Sequence, residues 1–143
     1  MTVRSPKFSD WVPSAGNLDE AWAFKSLDGL SEEAALDLIK TNPSSYVEML
    51  SYAKGQRFEH YLGLLADYLI SEDSSGNFAA AAGFMDLLGE RDLPVKMAIG
   101  RSGFDLSRYA MEVASRQSFY GADVDVMGDF RMQYEAFVKG EAT

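Results

Sequence analysis

The single histidine of this 143-residue chain, His60, is the first candidate for acid–base chemistry. It follows Glu59 and lies seven residues before Asp67, so a helix would place both side chains on one side, two turns apart. With Tyr61 and Tyr68 they outline a candidate ligand pocket between helices. No serine or other nucleophile is spaced to use the histidine as a base, so the pattern favours a structural histidine and no catalytic residue is expected.

A second candidate is the acidic segment DVDVMGD, which begins at Asp123 and has the spacing of the start of an EF-hand calcium loop. Asp123, Asp125 and Gly128 match loop positions one, three and six. Position five is Met127, which offers no hard oxygen, and position twelve is Tyr134 where a bidentate glutamate is needed. The segment is therefore predicted to be a solvated acidic turn, and neither a metal nor a cofactor is expected.

The sequence supports neither a phosphate-binding loop nor a cysteine nucleophile. The phosphate-binding patterns GxGxxG and GxxxxGK[ST] are absent, and there is no cysteine. The turn GRSG at residues 100–103 carries one arginine that could hold an anion, but we predict an ordinary loop.

The remaining candidate feature is the excess of acidic over basic residues. The chain has 13 Lys and Arg against 22 Asp and Glu, a net charge of -9, which disfavours binding to nucleic acid or to an anionic membrane. Asp28 with Glu32, and Glu33 with Asp37, are like-charged pairs four residues apart, and each pair costs a helix a few tenths of a kcal/mol, roughly. These four acids are the candidate partner-binding face, although a merely solvated helix surface is the interpretation that the pattern favours.

The elements that must position these residues are all helical. Residues 57–71, RFEHYLGLLADYLIS, are apolar on most faces of a helical wheel, which indicates a helix wrapped by others. The segment is too short and too polar to span a bilayer. Gly63, in its middle, suits a close approach of a neighbouring helix. We predict an all-α, single-domain, orthogonal bundle of seven or eight helices around this helix.

Capping residues and periodicity delimit the other helices. Asn17 and Glu20 have capping-box spacing and open the first helix, in which Leu18, Ala21 and Trp22 are predicted to face inward. The other predicted elements are a helix capped by Ser31 and ended by Asn42 and Pro43, a helix over residues 44–53 with Gly55 as its C-cap, an exposed turn at 71–77, a helix capped by Asn77, a short helix over 92–99, a helix containing 106–113, and a last amphipathic helix over 127–137.

The first 16 residues are predicted to form an extended arm. Pro6 and Pro13 disfavour a helix there, and Phe8 and Trp11 could pin the arm to the body. Residues 17–143 would then form a single helical domain. No apolar run marks a secretory signal or a membrane anchor, and together with the absence of cysteine this favours a cytoplasmic protein.

One stretch resembles a pattern in small, uncharacterised all-helical bacterial proteins. It covers residues 46–71, and it departs from that pattern at Ala53-Lys54-Gly55, where such proteins tend to have a Met-Gly turn. The resemblance implies a helical fold of bacterial or phage origin, and it carries no active site. The matching residues are Tyr46, Met49, Leu50, Tyr52, Arg57, Phe58, Tyr61, Ala66, Tyr68, Leu69, Ile70 and Ser71.

Three classes of function remain open on these grounds. The leading one is a non-catalytic acidic protein-binding module, such as an immunity-type or inhibitor protein that neutralises a basic partner. The second is a small-ligand-binding protein or enzyme with a pocket between helices near His60. The third is a phage-type structural or oligomerising domain that assembles through the arm around Phe8 and Trp11.

Overall fold

The fold is all-α, as predicted. The computed structural model describes residues 11–141, and it is 66% helical, with eight α-helices and no strand in those residues. No helix in this part of the chain is long and apolar enough to cross a membrane. The helices are α1 (Leu18–Leu27), α2 (Glu32–Thr41), α3 (Pro43–Tyr52), α4 (Gly55–Leu69), α5 (Phe78–Glu90), α6 (Leu106–Ser115), α7 (Val124–Met127) and α8 (Phe130–Glu141), with a 3-10 turn, Glu72–Ser74, after α4.

Side-chain caps fix where several helices begin. The side chains of Asn17, Ser31 and Asn77 each accept the backbone N–H three residues further on, at 3.0, 3.1 and 3.2 Å. Each cap satisfies a donor that the first helical turn leaves without an intrahelical partner. Asn42, predicted only to end α2, also caps α3 by accepting the N–H of Ser45 at 3.4 Å.

The apolar helix α4 buries ten of its fifteen residues and packs against α2, α3 and α5. Each large apolar side chain buried there stabilises the fold by about 1.5–3 kcal/mol relative to an exposed one. Gly55, predicted as the C-cap of α3, is instead the first residue of α4, and Ala53 occupies the C-cap. The prediction that the helices cross orthogonally around α4 stays a prediction. The predicted apolar stripe is at most 3% exposed: Phe58, Tyr61, Leu62, Leu65 and Leu69.

The predicted inward face of α1 is wrong. Leu27 is fully buried, and Glu20 is only 3% exposed. Glu20 turns inward because its carboxylate accepts the indole N–H of Trp11 at 2.9 Å and lies 3.4 Å from the ammonium of Lys54. These partners lie outside the helix, so the periodicity of its ten residues could not reveal the buried face. The residues predicted to face inward are exposed: Leu18, Ala21 and Trp22.

The short helix predicted over residues 92–99 is also wrong. Residues 92–105 form a loop in which the N–H of Ile99 donates to the carbonyl of Phe104, beside an isolated bridge between Ala98 and Asp105. Gly100 has a φ of +71°, a left-handed conformation that reverses the chain. Pairing across this turn gives the backbone groups partners without a helix.

Part of the predicted arm can be placed. Residues 1–10, which include Phe8, lie outside the described residues. Trp11 is 4% exposed, and its ring meets that of Phe24 edge-on at 5.2 Å between centroids. The described end of the arm is therefore packed on the chain's own helices.

Candidate functional site

The structure brings His60 and Asp67 to one shallow depression on α4. Glu32 of α2 and Arg101 of the loop line it with them, and its volume is about 170 Å³. Small-molecule pockets in proteins usually measure roughly 300–1,000 Å³. The depression is therefore too small to enclose a substrate of ordinary size.

The two tyrosines predicted with them have structural hydrogen bonds. Tyr61 is 1% exposed, and its hydroxyl donates to the carbonyl of Leu30 at 2.5 Å, which ties the α1–α2 connection to α4. Burial raises the pKa of Tyr61 to about 12. Tyr68 lines a neighbouring depression with Asp67, and its hydroxyl accepts the side-chain N–H of Asn77 at 3.0 Å. The four predicted pocket residues thus do not line one cavity.

The carboxylate of Asp67 holds the fold together. One oxygen accepts the hydroxyl of Tyr109 at 2.6 Å, and the other accepts the backbone N–H of Arg101 at 2.8 Å. Tyr109 belongs to α6 and is fully buried, and burial, followed by the bond to Asp67, raises its pKa. Because both oxygens already bind donors from other elements, Asp67 is poorly placed to serve His60 as an acid–base partner.

Two glycines allow the loop to reach Asp67. A Cβ atom on Gly63 would lie 2.7 Å from the backbone nitrogen of Gly100, and a Cβ on Gly100 would lie 2.6 Å from Oδ1 of Asp67. The close approach predicted at Gly63 is therefore real, but its partner is a loop. We refer to Gly63, Asp67, Gly100 and Tyr109 together as the loop clamp. Nothing local in the sequence signals that these four positions meet.

The four acids of the predicted partner-binding face differ in their pairing. Asp28 lies 3.4 Å from the guanidinium of the buried Arg57, and Glu32 lies 2.8 Å from that of Arg101. Glu33 and Asp37 are exposed and form no ion pair with any residue in 11–141. Only these last two present uncompensated negative charge on α2.

Arginine side chains are turned toward backbone carbonyls at helix ends. Arg91 donates to the carbonyls of Leu50 and Ala53 at 2.7 and 2.6 Å, and Arg116 donates to that of Leu69 at 2.5 Å. The last carbonyls of a helix have no partner inside it, so these guanidinium groups complete the C-termini of α3 and α4. These cations are used inside the fold and are only partly available to a partner.

His60 offers a direct test of its surroundings. Burial lowers its pKa from 6.5, and the negative charge of Glu32 opposes that shift. We expect an NMR titration of this single imidazole to give a midpoint below 6.5, and Glu32→Gln to lower it further. Because the pKa is lower in the folded protein, the unfolded chain binds the proton more tightly. Protonation of His60 therefore lowers the free energy of unfolding as the pH falls through 6.5. Glu33→Gln, an exposed neighbour on the same helix, should leave the midpoint unchanged; a wild-type midpoint above 6.5 would contradict the burial.

The acidic segment at Asp123 has a local structural role. Its carboxylate accepts the N–H of Asp125 at 2.8 Å and caps α7. In the part of the chain that the structure describes, no group of three or more His, Asp or Glu side chains is arranged to hold a metal ion.

Known proteins give no independent indication of what this site does. Comparison with protein-family models, with curated proteins and with solved structures gives no match to this chain.

Proposed function

We propose that this protein is a non-catalytic, acidic protein-binding module, and more specifically an inhibitor or immunity-type protein that neutralises a basic partner. The observation that carries the proposal is the way in which the charges are distributed. The net charge is -9, and the cations Arg57, Arg91 and Arg116 are partly or fully buried against acids, carbonyls and aromatic rings. Among the side chains that the structure describes, exposed carboxylates outnumber exposed Lys and Arg side chains.

Such a surface attracts a basic partner over a distance of about 10 Å at ordinary ionic strength. Attraction of this kind mainly accelerates association and rejects partners of the wrong charge. Glu33 and Asp37 fit this role because they are exposed and their charge is not neutralised within the described residues.

The arrangement around His60 also supports a non-catalytic function. A general base must be free to exchange a proton with the substrate. The two carboxylates that line the depression with His60 are already engaged, Asp67 by Tyr109 and a backbone N–H, and Glu32 by Arg101.

The two alternative functions have less support. The pocket expected near His60 for a small-ligand protein or enzyme is a depression of only about 170 Å³. A phage-type domain that assembles through the arm would need Trp11 at its surface, whereas Trp11 is buried against its own chain.

Affinity capture from lysate of the source cells, at low and at high salt, tests the proposal. We expect a basic protein to be recovered at low salt and lost at high salt. Glu33→Gln/Asp37→Asn should reduce its recovery, whereas Glu72→Gln/Asp73→Asn should not, although it removes the same charge from another exposed segment. Recovery of no basic protein at either salt concentration would contradict the proposed function.

A further inference from the structure

A groove runs between α3 and α5, on the side of α5 where Phe78 is exposed. Its volume is about 470 Å³, and Met127 of α7 also lines it. Its apolar lining includes Val47, Phe78 and Ala82, and Phe78 is 45% exposed, although it is a large aromatic side chain. We call this feature the α3–α5 groove.

The groove owes its shape to small residues on α5. A Cβ atom on Gly83 would lie 2.5 Å from Cγ2 of Val47, so glycine lets α3 approach α5 closely. Ala79 and Ala82, on the same side of α5, project only methyl groups. The result is an apolar trough that the half-exposed side chain of Phe78 also lines.

Carboxylates stand on both sides of this trough. Glu48 belongs to α3, while Asp86 and Glu90 lie one turn apart on α5, and all three are exposed. None forms an ion pair with a described residue; Asp86 accepts only the neutral side-chain amide of Gln133, at 3.1 Å. Apolar surface between unpaired negative charges is complementary to an apolar stripe flanked by positive charges.

The backbone geometry indicates the form of the partner. Most backbone groups of α3 and α5 are already bonded within their helices, so they cannot pair with an extended peptide. A helical partner satisfies its own backbone groups and needs only side-chain contacts. The thirteen residues of α5 extend about 20 Å, which corresponds to three to four turns of a partner helix.

We propose that the α3–α5 groove binds a basic amphipathic helix of the partner protein. The apolar stripe of that helix lies on Ala82 and against Phe78, and its Lys or Arg side chains pair with Glu48, Asp86 and Glu90. This proposal rests on the proposed function and gives it a surface that differs from the acids of α2.

A synthetic peptide tests the groove directly. The probe is a fluorescein-labelled helical peptide of about fourteen residues, with leucines at i, i+3, i+4 and i+7 spacing and lysines elsewhere. Its binding is measured by fluorescence anisotropy at low and at physiological salt. A peptide of the same composition in scrambled order has the same charge but no apolar stripe, and we expect it to bind at least about tenfold more weakly.

Two protein variants and a matched control locate the binding surface. Asp86→Asn/Glu90→Gln and Phe78→Ala are each expected to weaken binding about tenfold. Glu72→Gln/Asp73→Asn removes the same charge from the exposed turn after α4, and we expect its affinity to stay within about twofold of wild type. All three variants change exposed side chains, and unchanged thermal melting verifies their folding.

The outcomes separate this proposal from the proposed function. Equal weakening by Asp86→Asn/Glu90→Gln and by the Glu72→Gln/Asp73→Asn control, or a scrambled peptide that binds equally well, would show general charge attraction and overturn the groove. Peptide binding that neither Asp86→Asn/Glu90→Gln nor Phe78→Ala weakens would overturn the groove but leave the acidic module standing. Failure of the wild-type protein to bind the leucine–lysine peptide would also overturn the groove, and lysate capture then decides the proposed function by itself.

Discussion

Gly63→Ala is expected to lower the free energy of unfolding by about 1–3 kcal/mol, the usual cost of forcing extra volume into a packed site. The added Cβ would lie 2.7 Å from the nitrogen and 3.1 Å from the Cα of Gly100, so it would meet backbone and not a flexible side chain. The loop cannot retreat without stretching the bond from the N–H of Arg101 to Asp67. Urea unfolding followed by circular dichroism measures the change.

Gly89→Ala is the matched control. Gly89 also lies in a helix, α5, but a Cβ there would meet nothing within 4 Å. Alanine has the higher helix propensity, so this change should stabilise the protein by up to about 1 kcal/mol. If Gly63→Ala were stabilising to the same extent, the loop would not be seated on α4 as the structure has it.

Asp67→Ala is expected to destabilise the protein by about 1.5–3 kcal/mol, because it removes a charged acceptor and leaves the buried hydroxyl of Tyr109 without its partner. Tyr109→Phe should cost less, about 1 kcal/mol, because Asp67 keeps its bond to the loop. Urea unfolding of the two single variants and of the double variant measures the coupling between the two side chains, which we expect at about 0.5–3 kcal/mol.

Hydrogen exchange distinguishes the clamp from simple loss of packing. In Asp67→Ala the amide proton of Arg101 should exchange faster, because its acceptor is gone. In Tyr109→Phe the same amide should keep its protection. Strictly additive effects on stability, with no change at the amide of Arg101, would rule out the loop clamp.

Much of the helical framework could be predicted because its signals are local. A cap such as Ser31 acts within three residues, and the stripe on α4 repeats within one turn. The same local signals failed over residues 92–99, where a helix was predicted but a loop that turns at Gly100 formed instead. They failed again on α1, whose inward-facing Glu20 depends on Trp11 and Lys54.

The candidate site was less predictable because its contacts join distant parts of the chain. Asp67 and Tyr109 are 42 residues apart, and Glu32 and Arg101 are 69 apart. The sequence shows that four acids follow one another near α2, but it cannot show that two of them meet Arg57 and Arg101. The α3–α5 groove was missed for the same reason, since its two acidic sides belong to different helices.

The loop clamp also constrains how this sequence can diverge. Gly63 and Gly100 each leave no room for a side chain, and Asp67 and Tyr109 each lose a buried partner if the other changes. We therefore expect the four positions to change together in evolution, so that a replacement at one is accompanied by a change at another. In any relative that keeps this loop on α4, the expected spacing is glycine, then aspartate after four residues, glycine after a further 33 and tyrosine after nine more.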